Sequence, residues 1–490
     1  MIKPTAVSVR DLACEIMTGG QTPLNFLESV LDRIEEIDEL NAFITVTEES
    51  ARNRAQMADG AAERGDDLGP LHGVPVEIKD LRTRKARVRH TMGLAPLTDN
   101  VADDDSITVE RLEAAGAVVV GTSNTPALGH IIKTENKLVG VTPTPFDHDR
   151  SAGGSSGGSV AALAAGAVPL ATGSDIGGSL RVPASCCNVV GLKPTFGLIP
   201  ERVPRDGFNT HSPFFVGGPM PRTVEDTAVL LDVLAGQDDR DPLSVPQPET
   251  DYTGATDRPT NELSVAYSPN LDLQPVSPVV REMVDDAVTE LAAAGATVDT
   301  VDISLPSYED LSMAYVTQVG VFFSAFAKHL GDQYGIDFAT ADVEDTVHST
   351  IALGTETDAA TDRLQNVPRT AAYEEIQDTL AGYDVLVTPT LTVPPYSKRL
   401  ADGYPTEIDG HSVMGVPTDV MLTWVFNMTG HPVASISAGI TDDDLPVGVQ
   451  IVGRQFAEED ILSVVSAMER VQPRTDQYTN TQIECHYWIV

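Results

Sequence analysis

Three residues of this 490-residue chain have types and spacing that suit nucleophilic chemistry. Ser155 lies in "RSAGGSSGGSVAALAAG" (150–166), Ser179 follows 24 residues later in "GSDIGGSLR" (173–181), and Lys79 ends the apolar run "GVPVEIK". A Gly/Ser run is ordinarily a spacer. Here the residues between the two glycine pairs predict a helix of about ten residues and a strand of about five. At roughly 1.5 and 3.3 Å per residue, both span about 15 Å. The chain climbs the helix and descends the strand, so Ser155 and Ser179 meet at one edge of a sheet. A spacer has no reason to do this.

Ile176, Gly177 and Gly178 precede Ser179 where a strand turns into a helix. They can aim successive N–H groups into one concavity, because glycine tolerates the dihedrals and close approach required. Such donors are worth several kcal/mol to the oxyanion of a tetrahedral intermediate. A serine nucleophile also needs a base, and none of the ten histidines lies in either loop. Lysine serves only when neutral, which requires burial. Lys79 stands at the carboxyl end of a predicted strand, where α/β sheets place their active sites. Lys193 in "GLKPT" competes, and spacing does not separate the two.

The elements that position these residues follow from local pattern. Ser8 caps a short helix ending at Gly19 and Gly20, and Thr22 with Pro23 starts another whose stripe is Leu24, Leu27, Val30, Leu31 and Ile34. From about residue 70, short apolar runs ("VPVEI", "AVVVG", "AVPLAT") alternate with helices, which argues for an α/β sheet. Residues 237–262 form a polar, Pro-rich connector, and the acidic stretch 340–370 reads as a solvated insertion. "DVLVTPT", "PVASISAG" and "PVGVQIVG" complete the sheet.

Composition excludes some classes. Seventy-two acidic against 32 basic residues give a net charge of −40, leaving no positive surface for nucleic acid. Only eight basic residues are lysines, and the acid is spread along the chain, as in proteins of a salt-rich, halophilic cytoplasm. No signal-peptide pattern and no apolar run of about 18 residues occur, so the chain reads as cytoplasmic and without a membrane partner. Cys14, Cys186, Cys187 and Cys485 lack metal-ligand spacing and read as thiols in a reducing compartment.

The segments "LHGVPVEIKD", "AGAVVVGTSNTP", "SAGGSSGGSVAALAAG", "GSDIGGSLRVPASCCNVVGLKPTFG", "FNMTGHPVAS" and "LPVGVQIVG" resemble, in order and spacing over roughly residues 20–470, the amidase signature family. The resemblance implies that family's α/β fold, a mixed and mostly parallel sheet flanked by helices on both faces. A helical segment (1–65) would pack on a catalytic domain (66–475) with polar insertions near 237–262 and 340–370, followed by a tail (476–490). It implies a Ser–Ser–Lys triad: Ser179 attacks an amide carbonyl, and Ser155, joined to Gly154 by a cis peptide, relays its proton to neutral Lys79. The N–H groups of Ile176, Gly177, Gly178 and Ser179 would form the oxyanion hole, Ser156 would support the network, and Asp175 and Arg181 would brace the loop. The implied substrate is a small-molecule amide; no metal or organic cofactor is implied, and a homodimer is common among family members.

Some positions depart from the family pattern. Glu77 stands where a small or apolar residue is usual, and strand alternation puts it on the face of Lys79, where a carboxylate would favour the ammonium. "GTSN" replaces Gly-Lys-Thr-Asn, and "TFGLIP" lacks a common arginine. Within the family, the rival is the glutaminase component of glutamyl-tRNA(Gln) amidotransferase, which releases ammonia from glutamine for a partner; residues 198–222 differ from its usual sequence. Outside the family, "GGSSG" fits the elbow of an α/β-hydrolase, but the polar "PTPFDHDRSA" precedes it where a buried strand is needed. A nucleotide-binding loop would need a G-K-[ST] ending or a G-x-G-x-x-G, and both are missing. Phe214, Phe215, Tyr315 and Trp424 are the candidate pocket liners.

Overall fold

The computed structural model describes residues 8–473 except 67, 204–206 and 209–213, so the tail 476–490 and Cys485 lie outside the described residues. Eleven strands form two mixed sheets. The first has the order β1 (Phe43–Val46), β3 (Val118–Ser123), β2 (Pro75–Lys79), β4 (Leu170–Asp175), β6 (Val216–Pro221). Its three central strands are parallel, and β1 and β6 run antiparallel at its edges. The second has the order β8 (Thr297–Thr300), β7 (Ser264–Tyr267), β9 (Val385–Pro389), β11 (Pro446–Gly453), β10 (Val433–Ile440), β5 (Gly191–Lys193). There β7 is parallel to β8 and β9, and the remaining pairs are antiparallel. The sheets are therefore mixed without the expected parallel majority, because tight reversals such as the one joining β10 to β11 pair strands antiparallel without a crossover helix.

β2 is sandwiched between β3 and β4, and all five of its residues are buried. This explains its near-continuous apolar run. The helix expected between the two Ser/Gly loops is Gly157–Ala164; it leads into β4, and the helix Arg181–Cys187 follows the second loop. The N-terminal helices α1 (Val9–Met17) and α2 (Pro23–Glu36) are capped by Ser8 and Thr22 as their sequences predict. Their buried side chains join the same apolar core as β2 and β4, with Phe26 added to the expected stripe. The Val9 N–H donates to Asp226 Oδ1 at 2.9 Å, tying this segment to the helix Val224–Leu234.

The acidic stretch 340–370 is mostly exposed and helical. It forms the helices Asp345–Glu356 and Ala359–Leu364, and Val347 is buried. The thiol reading holds for Cys186 and Cys187, which are buried and free. It does not hold for Cys14, which is disulfide-bonded. No helix among the described residues is long and apolar enough to cross a membrane.

Candidate active site

Lys79 ends β2 at the edge where the helix Gly157–Ala164 begins, and it is 1% exposed. Its Nζ is 2.8 Å from Ser155 Oγ, 3.0 Å from Ser156 Oγ and 3.0 Å from Ser174 Oγ. The Gly154–Ser155 peptide is cis. Burial pulls the Lys79 amine down to about 7, against the opposing pull of Asp175, Glu77 and Glu201. Asp175 is paired with Arg181 and Glu201 with Arg82, so neither is locked to the lysine. Lys193, the competing base, is equally buried and also lowered to about 7, chiefly by desolvation. Charge state thus fails to separate the two lysines, but their surroundings differ. Lys193 Nζ donates to the Pro194 carbonyl at 3.1 Å, whereas Lys79 sits among the serines.

Glu77 is fully buried, beside the hydroxyls of Ser123 and Ser159. Burial pushes its carboxyl up to about 8. Ser123, Ser159 and Lys79 oppose that rise only in part, the two serine hydroxyls being 2.9 Å from each other. The residue that threatened to charge Lys79 is therefore itself mostly neutral at pH 7.

The loop after β4 is held by a buried ion pair. Arg181 Nε donates to Asp175 Oδ2 at 3.0 Å and its Nη2 to Asp175 Oδ1 at 3.1 Å, with both side chains fully buried. Arg181 also donates to the Thr423 carbonyl, Gln450 Oε1 and Asn427 Oδ1, and Asn427 Nδ2 donates to Asp175 Oδ1 at 2.7 Å. Desolvation would raise the Asp175 carboxyl, but Arg181 and Asn427 more than offset it and hold it below its usual range.

The same carboxylate corrects the expected oxyanion hole. The Gly178 N–H donates to Asp175 Oδ1 at 2.7 Å and so is turned away from the concavity. Ile176, Gly177 and Ser179 N–H find no acceptor among the described residues and remain as donors. Glycine is required at two points. Gly178 has φ +132°, and a Cβ on Gly177 would fall 1.8 Å from the Tyr315 hydroxyl.

Ser179 is 3% exposed and borders a cavity of about 460 Å³, while Ser155 borders a small adjoining chamber. Gly129 and Ile176 form part of both walls. Of the four candidate liners, Tyr315 faces the Ser179 cavity and Phe215 the Ser155 chamber, where Arg82 lies 3.7 Å over its ring. Phe214 and Trp424 are core residues that pack against Tyr315. Sequence reasoning missed Ser174, although it lies in the quoted loop. It also missed Thr423, whose hydroxyl donates to the Gly177 carbonyl at 2.6 Å, and Asn427; both are more than 240 residues from the loop they hold. Among the described residues no cluster of three or more His, Cys, Asp or Glu could hold a metal ion.

The amidase family model matches residues 25–462. An acylamidase from Rhodococcus erythropolis is 34% identical over 477 residues, covering 96% of each chain. The glutamyl-tRNA(Gln) amidotransferase of Synechococcus sp. (strain RCC307) has a component that is 33% identical over 479 residues, covering 93% of this chain and 95% of that one. A bacterial aryl acylamidase of the amidase signature family superposes with a TM-score of 0.92 at 28% identity, covering 97% of this chain and 98% of that one. This chain belongs to the amidase signature family and is an amide-hydrolysing enzyme.

Proposed function

We propose that the protein hydrolyses a carboxylic acid amide through an acyl-enzyme on Ser179, with Ser155 and neutral Lys79 as the proton relay. Ser179 Oγ attacks the amide carbonyl carbon. Its proton passes to Ser155 Oγ as the Ser155 proton passes to the Lys79 lone pair. The tetrahedral oxyanion accepts from Ile176, Gly177 and Ser179 N–H. Lys79 then returns the proton through Ser155 to the leaving nitrogen, the C–N bond breaks, and water cleaves the ester by the same relay. The observation that carries this reading is a fully desolvated amine lowered to about 7 and 2.8 Å from Ser155 Oγ, because only a neutral lysine can accept a proton.

The amidotransferase relatives favour a second reading, in which the same chemistry releases ammonia from glutamine for a partner protein. Hydrolysis of an amide panel including glutamine, in concentrated KCl as the acidic composition calls for, separates the two. Turnover of simple amides, lost in Ser179→Ala and Lys79→Ala with folding intact, is expected. Near-normal rates in Lys79→Ala would show that the base is wrong.

A further inference from the structure

The cavity beside Ser179 is unlike the rest of the molecule. One residue in five of the chain is charged, yet none of the described residues lining this cavity is Asp, Glu, Lys or Arg. Its one imidazole, His130, is pulled down to about 4 by burial, and its nitrogens contact the Ala127 carbonyl and Thr346 Oγ1 at 2.7 Å each. The ring is therefore neutral at pH 7, and its contact with Thr346 ties the loop beside Ser155 to the helix Asp345–Glu356. The long helix Tyr308–Tyr334 supplies the opposite wall.

The apolar lining continues to the surface. Met313, Val316, Leu353 and Met414 border the cavity and are 62%, 40%, 38% and 63% exposed. On a protein of net charge −40, four large apolar side chains gathered at one opening are a departure that the core does not need. A volume of about 460 Å³ falls in the range of roughly 300–1,000 Å³ typical of small-molecule sites.

We infer that this cavity binds the acyl half of the substrate, and that this half is an uncharged, apolar chain or ring running from Ser179 towards the opening between the two helices. The inference rests on the amidase reading of the same site. Free glutamine fits it poorly, because its α-ammonium and α-carboxylate would be desolvated without a counter-charge. An apolar chain loses only water.

Binding of butanamide, hexanamide, octanamide and L-glutamine to Ser179→Ala, measured by calorimetry, tests the inference without needing turnover. Affinity should rise roughly fourfold per added methylene, the equivalent of about 0.8 kcal/mol for each buried CH₂, and glutamine should not compete. Val316→Asp, a change at a part-exposed position, should weaken octanamide at least tenfold while sparing butanamide. Equal affinity across the series, or glutamine binding as well as octanamide, would overturn the inference and leave the proposed hydrolysis standing. Chain-length-dependent binding without wild-type turnover of any amide would instead overturn the hydrolysis.

Discussion

Replacing Glu77 by Gln keeps the volume of a buried side chain and removes its ability to ionise. Glu77 and Lys79 are two residues apart on β2, so their side chains leave the strand on one face about 7 Å apart. At an effective dielectric constant of about 20, a full carboxylate at that distance would hold the ammonium by about 2.4 kcal/mol, or about 1.7 pH units. With its carboxyl at about 8, Glu77 is only about one-tenth ionised when Lys79 titrates near 7. The acid limb of kcat/KM should therefore move down by less than about 0.3 pH unit in Glu77→Gln. The assay is kcat/KM for one uncharged amide from about pH 5.5 to 9 in buffered KCl. A downward shift of more than about one unit would show that Glu77 is ionised beside Lys79, and the reasoning from burial would fail.

The loop and its brace give further expectations. Asp175→Asn leaves the Arg181 guanidinium buried without its counter-ion, so urea unfolding should show a loss of about 3–5 kcal/mol. Because Asp175 is held below its usual range, its contribution is complete at neutral pH and disappears only as the pH falls through that lowered value. Gly177→Ala drives a methyl into the Tyr315 hydroxyl and should cut kcat at least tenfold; adding Tyr315→Phe should restore part of it, as a double-mutant cycle would read.

Much of this was legible from local pattern. The apolar run ending at Lys79 marked β2, and the interval between the two glycine pairs marked the helix Gly157–Ala164 and β4, although at 8 and 6 residues these span roughly 12 and 20 Å and do not match as expected. The caps at Ser8 and Thr22 were equally readable, since each rests on one side chain and its own first turn. Two kinds of information were not. Whether Gly178 donates to a substrate or to Asp175 depends on a side-chain rotamer, which no spacing specifies. The contacts of Arg181 with Thr423, Asn427 and Gln450 join segments some 240–270 residues apart, and periodicity is silent on such pairs. The acidic stretch 340–370 is largely solvated, as its composition suggests, but composition is silent on the one helix in it, Asp345–Glu356, that sends Thr346, Thr350 and Leu353 to the cavity beside Ser179.

The most direct measurement is the pH dependence of covalent labelling of the intact protein by a small fluorophosphonate, with the adduct located by mass spectrometry. Labelling should fall on Ser179, rise with a midpoint near pH 7, and be nearly lost in Lys79→Met while that variant keeps its circular dichroism. A label on another residue, or a rate on Ser179 that ignores both pH and the loss of Lys79, would contradict the neutral lysine as the base.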